Sequence, residues 1–157
     1  MKRHIGKIFE FTFEGYRFFG LCVYFDDNCG YLCGFSKKQE ALQRWTGDLN
    51  KDDDISLYAY IRLDALIRSK NAVRVATLAG FEPFLPPMRG GGGRRPDGSA
   101  KSWAIYDSNG WRTVDADEPE LPYLSERAIL GIGNIKDILV SGVSRQDEFA
   151  QSHLRVW

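Results

Sequence analysis

The sequence predicts an α+β fold: a strongly curved antiparallel sheet or partial barrel with two or three short helices. Three observations lead there. The first third alternates aromatic and polar residues, as half-buried strands do. Ten Phe, seven Tyr and four Trp among 157 residues suit a sheet-rich core. Apolar groups also occupy the second face of the early strands, so that sheet must be covered on both sides or curl on itself. The length fits one domain spanning 1–157, and no internal repeat or shift in composition marks a boundary.

The elements follow in order. Phe9, Phe11 and Phe13 alternate, Glu14-Gly15 supplies a turn, and Tyr16 and Phe18 return. This register sets Phe13 against Tyr16 and Phe11 against Phe18, an aromatic face of cross-strand pairs. Ile8, Phe19, Leu21 and Val23 make the other face apolar. The run "DDNCG" at 26–30 reads as the next turn and "YLCGF" as a third strand. Ser36 with Gln39 three residues on forms a capping box for a short helix carrying Ala41, Leu42 and Trp45, with Gly47 as its C-terminal cap. The run "ISLYAYIRL" alternates as a strand, and "AVRVATL" at 72–78 is another, after a helical turn around Leu66 and Ile67.

The stretch "LPPMRGGGGRRPDGSAKSW" reads as a flexible Gly/Arg loop over about 86–101, because successive glycines lose the most entropy on ordering. Asn109-Gly110 then marks a two-residue hairpin, in a register that sets Asp107 opposite Arg112 and Ile105 opposite Val114. Leu124, Ala128 and Ile129 have helical spacing after Ser125. Asn134 caps a further helix with Ile135, Ile138 and Leu139.

Motifs for catalysis are incomplete. After Gly93 and Gly98 the lysine and serine of a phosphate loop arrive two residues late, and a strand follows where a helix is needed. "DLNKDDDISLYA" imitates a calcium loop, yet Asp53 stands at the turn glycine and Ala59 at the bidentate glutamate. Cys22, Cys29 and Cys33 lack zinc spacing even with His4 added, and read as buried cysteines on strands. His4 and His153 lie near the two ends and read as exposed terminal residues. Gly131-Ile132-Gly133 is a fragment of a dinucleotide fingerprint. No catalytic residue, metal ligand or cofactor is assigned, and an enzyme is not expected.

Lys and Arg total 21, as do Asp and Glu, which argues against a dedicated nucleic-acid binder. No stretch has the apolar length of a membrane span, and the N-terminus lacks a signal-peptide pattern; a cytoplasmic location is expected. Charge is nonetheless segregated. Asp48, Asp52, Asp53 and Asp54 form one acidic cluster, and Asp115, Asp117, Glu118 and Glu120 another. Such surfaces speed encounter with a basic protein.

The opening "GKIFEFTFEGYRFFGLCV" resembles the immunity protein 26 family of bacterial polymorphic toxin systems, through Gly6, Phe9, Gly15, Gly20 and Val23. The order of later elements, ending in "WAIYD", is similar too. Lys7 stands where that family usually has aspartate, and Thr12 where it has proline. The resemblance implies a protein that binds a cognate toxin and occludes its active or binding site. If that toxin is a nuclease with a basic groove, the two acidic clusters are the expected contacts. The alternative is a small partial-barrel nucleic-acid adaptor using exposed aromatics with Arg94 and Arg95.

Overall fold

The computed structural model describes residues 2–44, 57–94, 96–97, 100–142, 144–147 and 149. It is α+β, as the sequence predicts, but the strands divide between two sheets, and among the described residues neither closes into a barrel. The chain falls into two compact units, Met1–Leu85 with Ala128–Gly142, and Pro86–Arg127 with Val143–Trp157.

The first unit holds a five-stranded antiparallel sheet. Its strands are β1 (Lys7–Phe13), β2 (Tyr16–Asp26), β3 (Gly30–Ser36), β4 (Leu57–Ile61) and β5 (Ala72–Thr77), in the order β4-β3-β2-β1-β5. The first hairpin has the expected register, Phe13 opposite Tyr16 and Phe11 opposite Phe18. Its turn needs left-handed backbone at both central residues, and Glu14 and Gly15 have φ of 49° and 77°, the twist that matches flanking strands. Glu14 then pairs with Lys136 Nζ at 3.0 Å.

The Phe11 and Phe18 rings stack at 5.3 Å, and Phe35 meets them edge-on at 5.5 and 6.0 Å. Gly20 makes that cluster possible, because a Cβ there would lie 2.8 Å from Phe11 and 2.9 Å from Phe35. Cys22 and Cys33 continue the same core as a directly opposed, fully buried pair on β2 and β3, as expected, whereas Cys29 departs from that expectation: it lies in the turn between those strands and is only half-buried. Every residue of β4, and every residue of β3 after Gly30, is buried, so these strands are covered on both faces, as the sequence indicates. Helix α3 (Ile132–Ser141) adds Ile135 and Leu139 to the core that holds Phe11 and Phe35. It begins two residues before Asn134, with Gly131 at its N-cap, and ends at Gly142 with φ 67°.

Two local expectations in this unit are corrected. Ser36 closes β3 opposite Phe19 rather than capping a helix. Its Oγ accepts from the Lys38 amide at 3.2 Å, and helix α1 spans only Gln39–Gln43; Trp45 and Gly47 lie outside the described residues. The helical spacing of Leu124, Ala128 and Ile129 does not produce a helix. There the backbone is extended, because Tyr60 draws it alongside β4: the Tyr60 amide donates to Ala128 O at 3.0 Å and the Leu130 amide to Tyr60 O at 2.9 Å.

The second unit holds a mixed four-stranded sheet in the order β8-β7-β6-β9. Its strands are β6 (Met88–Arg94), β7 (Ala100–Asp107), β8 (Gly110–Val114) and β9 (Ser125–Glu126). The flexible loop expected over 86–101 is thus corrected, for most of it is strand. Gly90 to Gly92 pair with Ala104, Trp103 and Ser102. The glycines serve close packing here: a Cβ on Gly90 would sit 2.7 Å from the Tyr106 ring, across which the Arg127 guanidinium lies at 5.0 Å. The hairpin register also differs by two residues, with Asp107 opposite Gly110 and Ile105 opposite Arg112. The Asp107 carboxylate accepts from the Asn109 amide at 2.9 Å, which fixes Ser108-Asn109 as the loop and leaves Gly110, at φ 110°, to open β8.

Arg89 is not a loop cation either. Its side chain is 0% exposed and organises the unit's carbonyls. Nη1 donates to Leu121 O at 2.9 Å, from a 3-10 turn at Leu121–Tyr123, and Nη2 to Arg145 O at 3.1 Å. The guanidinium also lies 5.2 Å from the Phe149 ring, which packs with Trp103 at 5.1 Å.

Two stability outcomes follow. Gly20→Ala should cost about 1–3 kcal/mol by overpacking, read from urea unfolding. Arg89→Leu leaves those carbonyls without their donor and should cost on the order of 3 kcal/mol. Arg89→Lys should not restore the loss, because one ammonium cannot reproduce the planar fork. Trp fluorescence during denaturation measures both Arg89 variants.

Candidate functional site

Of the eight acidic residues that the sequence singles out, Asp48, Asp52, Asp53 and Asp54 lie outside the described residues. Asp115, Asp117, Glu118 and Glu120 follow β8 in the second unit. A turn closed by the Glu118 amide on Asp115 O at 3.1 Å gathers them. They are not equivalent. Glu120 is neutralised by Arg112, whose Nη2 lies 2.6 Å from Oε1, while Asp115 and Asp117 are exposed.

What sequence reasoning missed is the aromatic surface in the same unit. Trp111 on β8 is 68% exposed and Tyr123, just past the acidic turn, 59%. Strand β8 is the outer strand of its sheet, exposed from Gly110 to Thr113. An exposed Trp on an outer strand leading into carboxylates suits the central anchor of a protein interface, where Trp and Tyr are enriched. A tryptophan followed by Arg112 and Thr113 in "GWRTV" was the available signal.

A second constellation lies in the first unit. His4 is buried, against the expectation of an exposed terminal histidine. Its ring packs on Phe9 at 5.5 Å and Tyr31 at 5.0 Å, because Gly6, with φ 82°, turns the N-terminus back onto the sheet. Its Nε2 lies 3.0 Å from Asp64 Oδ1, and Arg3 Nη2 reaches the same oxygen at 2.7 Å. Arg3 Nε also donates to His4 Nε2 at 3.2 Å, so the role of that nitrogen toward Asp64 depends on the imidazole tautomer. Nδ1 is buried without a hydrogen-bond partner among the described residues.

These contacts set the electrostatics. The hydrogen bond from Arg3, then that from His4, holds the Asp64 carboxyl below its ordinary value near 3.8; the same bond raises the Arg3 guanidinium. Burial pushes the Tyr31 hydroxyl up, and burial pushes the Cys33 thiol well up. A high-pKa thiol is a poor nucleophile near neutral pH.

Beside His4 an open groove of about 410 Å³ is floored by Phe9, Ile67 and Ala72 and bordered by Lys7, Lys70, Val73 and Arg74. Its fixed charges are therefore cationic. Among the described residues no His, Cys, Asp and Glu side chains gather as a metal-binding group, and no helix is long and apolar enough to cross a membrane.

Comparison of the chain with protein-family models, with curated proteins and with solved structures finds no match.

The Asp64 pairing predicts a pH dependence. Its native pKa is depressed, so its contribution to stability is fully present above about 3.8 and is lost as pH falls through the lower native value. Asp64→Asn should lower stability at neutral pH and flatten the acid limb below about pH 4. Urea midpoints measured from pH 2.5 to pH 7 for both proteins check the difference in slope.

Proposed function

We propose that the chain is a protein-binding module of the immunity type, which occupies a basic cognate toxin in the cytoplasm and blocks its active or binding site. The single observation that carries this reading is Trp111, 68% exposed on the outer strand β8 in the unit that also presents Asp115, Asp117 and Tyr123. The similarity of "GKIFEFTFEGYRFFGLCV" to immunity protein 26 sequences points the same way.

The division of labour follows from the physics. Carboxylates with few internal partners attract a basic surface over about a Debye length and raise the rate of encounter. Trp111 and Tyr123 supply desolvated contact area with few rotatable bonds, and so slow dissociation. Glu120, already paired with Arg112, contributes least to the field. Occlusion requires no catalytic group on this chain.

Affinity capture from the native host, with the tagged chain as bait at low and moderate salt, tests the reading. A stoichiometric basic protein that arrests growth alone and not when co-expressed with the chain is the expected result. Trp111→Ala should weaken the complex by about 2 kcal/mol or more. Reversing Asp115, Asp117 and Glu118 to Lys should mainly slow association and remove its salt dependence. Recovery of nucleic acid instead, lost on nuclease treatment or added salt, would overturn the proposal in favour of an adaptor.

A further inference from the structure

We propose that β5 and the basic groove beside it form a second docking site, for an acidic extended peptide segment that adds to the sheet as a further strand. The inference is independent of the toxin reading, since it rests on the first unit alone.

The two edges of that sheet are treated differently. Strand β4 is flanked by 128–130, which bonds to Tyr60 through both its amide and its carbonyl. Strand β5 ends the order β4-β3-β2-β1-β5, with no strand beside it among the described residues. The Thr12 amide donates to Asn71 O at 2.9 Å, so alternation along the antiparallel ladder turns the backbone groups of Val73 toward β1. Those of Ala72 and Arg74 then point outward. The strand carries Val73, 57% exposed, and Val75, 39% exposed. Such an edge templates another strand.

Charge selects the occupant. Lys7, Lys70 and Arg74 border the groove, and nearby Asp64 is already held by Arg3 and His4. Pairing β5 with β5 of a second copy would set Arg74 and Lys70 against their own kind, which is unfavourable across strands. An acidic strand meets them with opposite sign, and its apolar side chains can rest on Phe9, Ile67 and Ala72.

Lys70 adds to the case. It follows helix α2 (Leu63–Arg68), which ends with the Lys70 amide on Ile67 O at 3.1 Å and the Asn71 amide on Leu66 O at 2.9 Å. This double closure normally places glycine at the left-handed position, yet Lys70 occupies it at φ 63°. A cation stands on the groove border where glycine would relieve the backbone.

The test uses the full chain and two capped heptapeptides, one alternating Glu with Val and the other Lys with Val. Binding is followed by calorimetry at low and moderate salt, and backbone docking by amide hydrogen exchange. The acidic peptide should bind with an affinity that falls with salt and should protect the Arg74 amide, while the lysine peptide should not bind. Arg74→Pro removes both an outward amide with no partner among the described residues and one of the groove's cations, and should weaken binding about tenfold or more. Lys7→Gln with Lys70→Gln keeps the edge and should weaken the acidic peptide alone. Equal binding of both peptides, protection away from β5, or unchanged affinity in Arg74→Pro would overturn the proposal.

Discussion

Gly20 is the constraint on which the first unit depends. It sits between Phe9 and Phe35 in the ladder, at the point where the Phe11 and Phe35 rings close over the backbone. Because no side chain stands there, three phenylalanines from three adjacent strands form one contiguous cluster, and α3 packs on the same core through Ile135 and Leu139. Close packing makes such a site intolerant of even one methyl group. The register of β1 and β2 follows from it, since a slip of one residue would turn the phenylalanines to the opposite face.

In the second unit the corresponding role falls to a polar group. A fully buried guanidinium is costly unless its donors are used. Arg89 directs its donors to carbonyls of Leu121, Pro122 and Arg145. Leu121 and Pro122 belong to the 3-10 turn and Arg145 to a helical segment, so one side chain on β6 ties down backbone that strand pairing does not reach. The acidic turn leads into this held segment, with Leu121 fully buried and Tyr123 exposed two residues later. A surface anchored by buried bonds presents its exposed groups at little entropic cost, which is what an interface needs.

Local pattern was legible and distant pairing was not. The register of Phe11 with Phe18 could be read because turn and alternation lie within a few residues. The hairpin near Asn109 was misplaced by two residues because Asp107 competes for the turn through its own carboxylate, a contact the Asn-Gly rule does not weigh. Gly90 to Gly93 looked like slack, since glycine's entropy is a property of the residue, whereas the Tyr106 ring that needs Gly90 bare lies across a strand pair. Arg89 looked like one cation among several. The His4–Asp64 contact joins residues 60 apart in sequence and left no local trace. The acidic turn at 115–120 was legible as composition, but its pairing of Glu120 and its company of Trp111 and Tyr123 emerged only from the fold.

The same contrast applies to the outer strands. Sequence composition reports which residues a strand has, not whether its backbone is already paired. The edge at β4 is covered by a short parallel contact at Tyr60 and Ile129. On β5 the backbone stays open and the side chains do the guarding: Lys70 and Arg74 repel a like strand while Val73 and Val75 remain available. On β8 the edge carries an exposed Trp instead, followed by carboxylates. Charge of one sign beside an open edge discourages self-association and admits the opposite sign. Neutral overall charge therefore conceals two surfaces of opposite character, each beside an outer strand of its sheet.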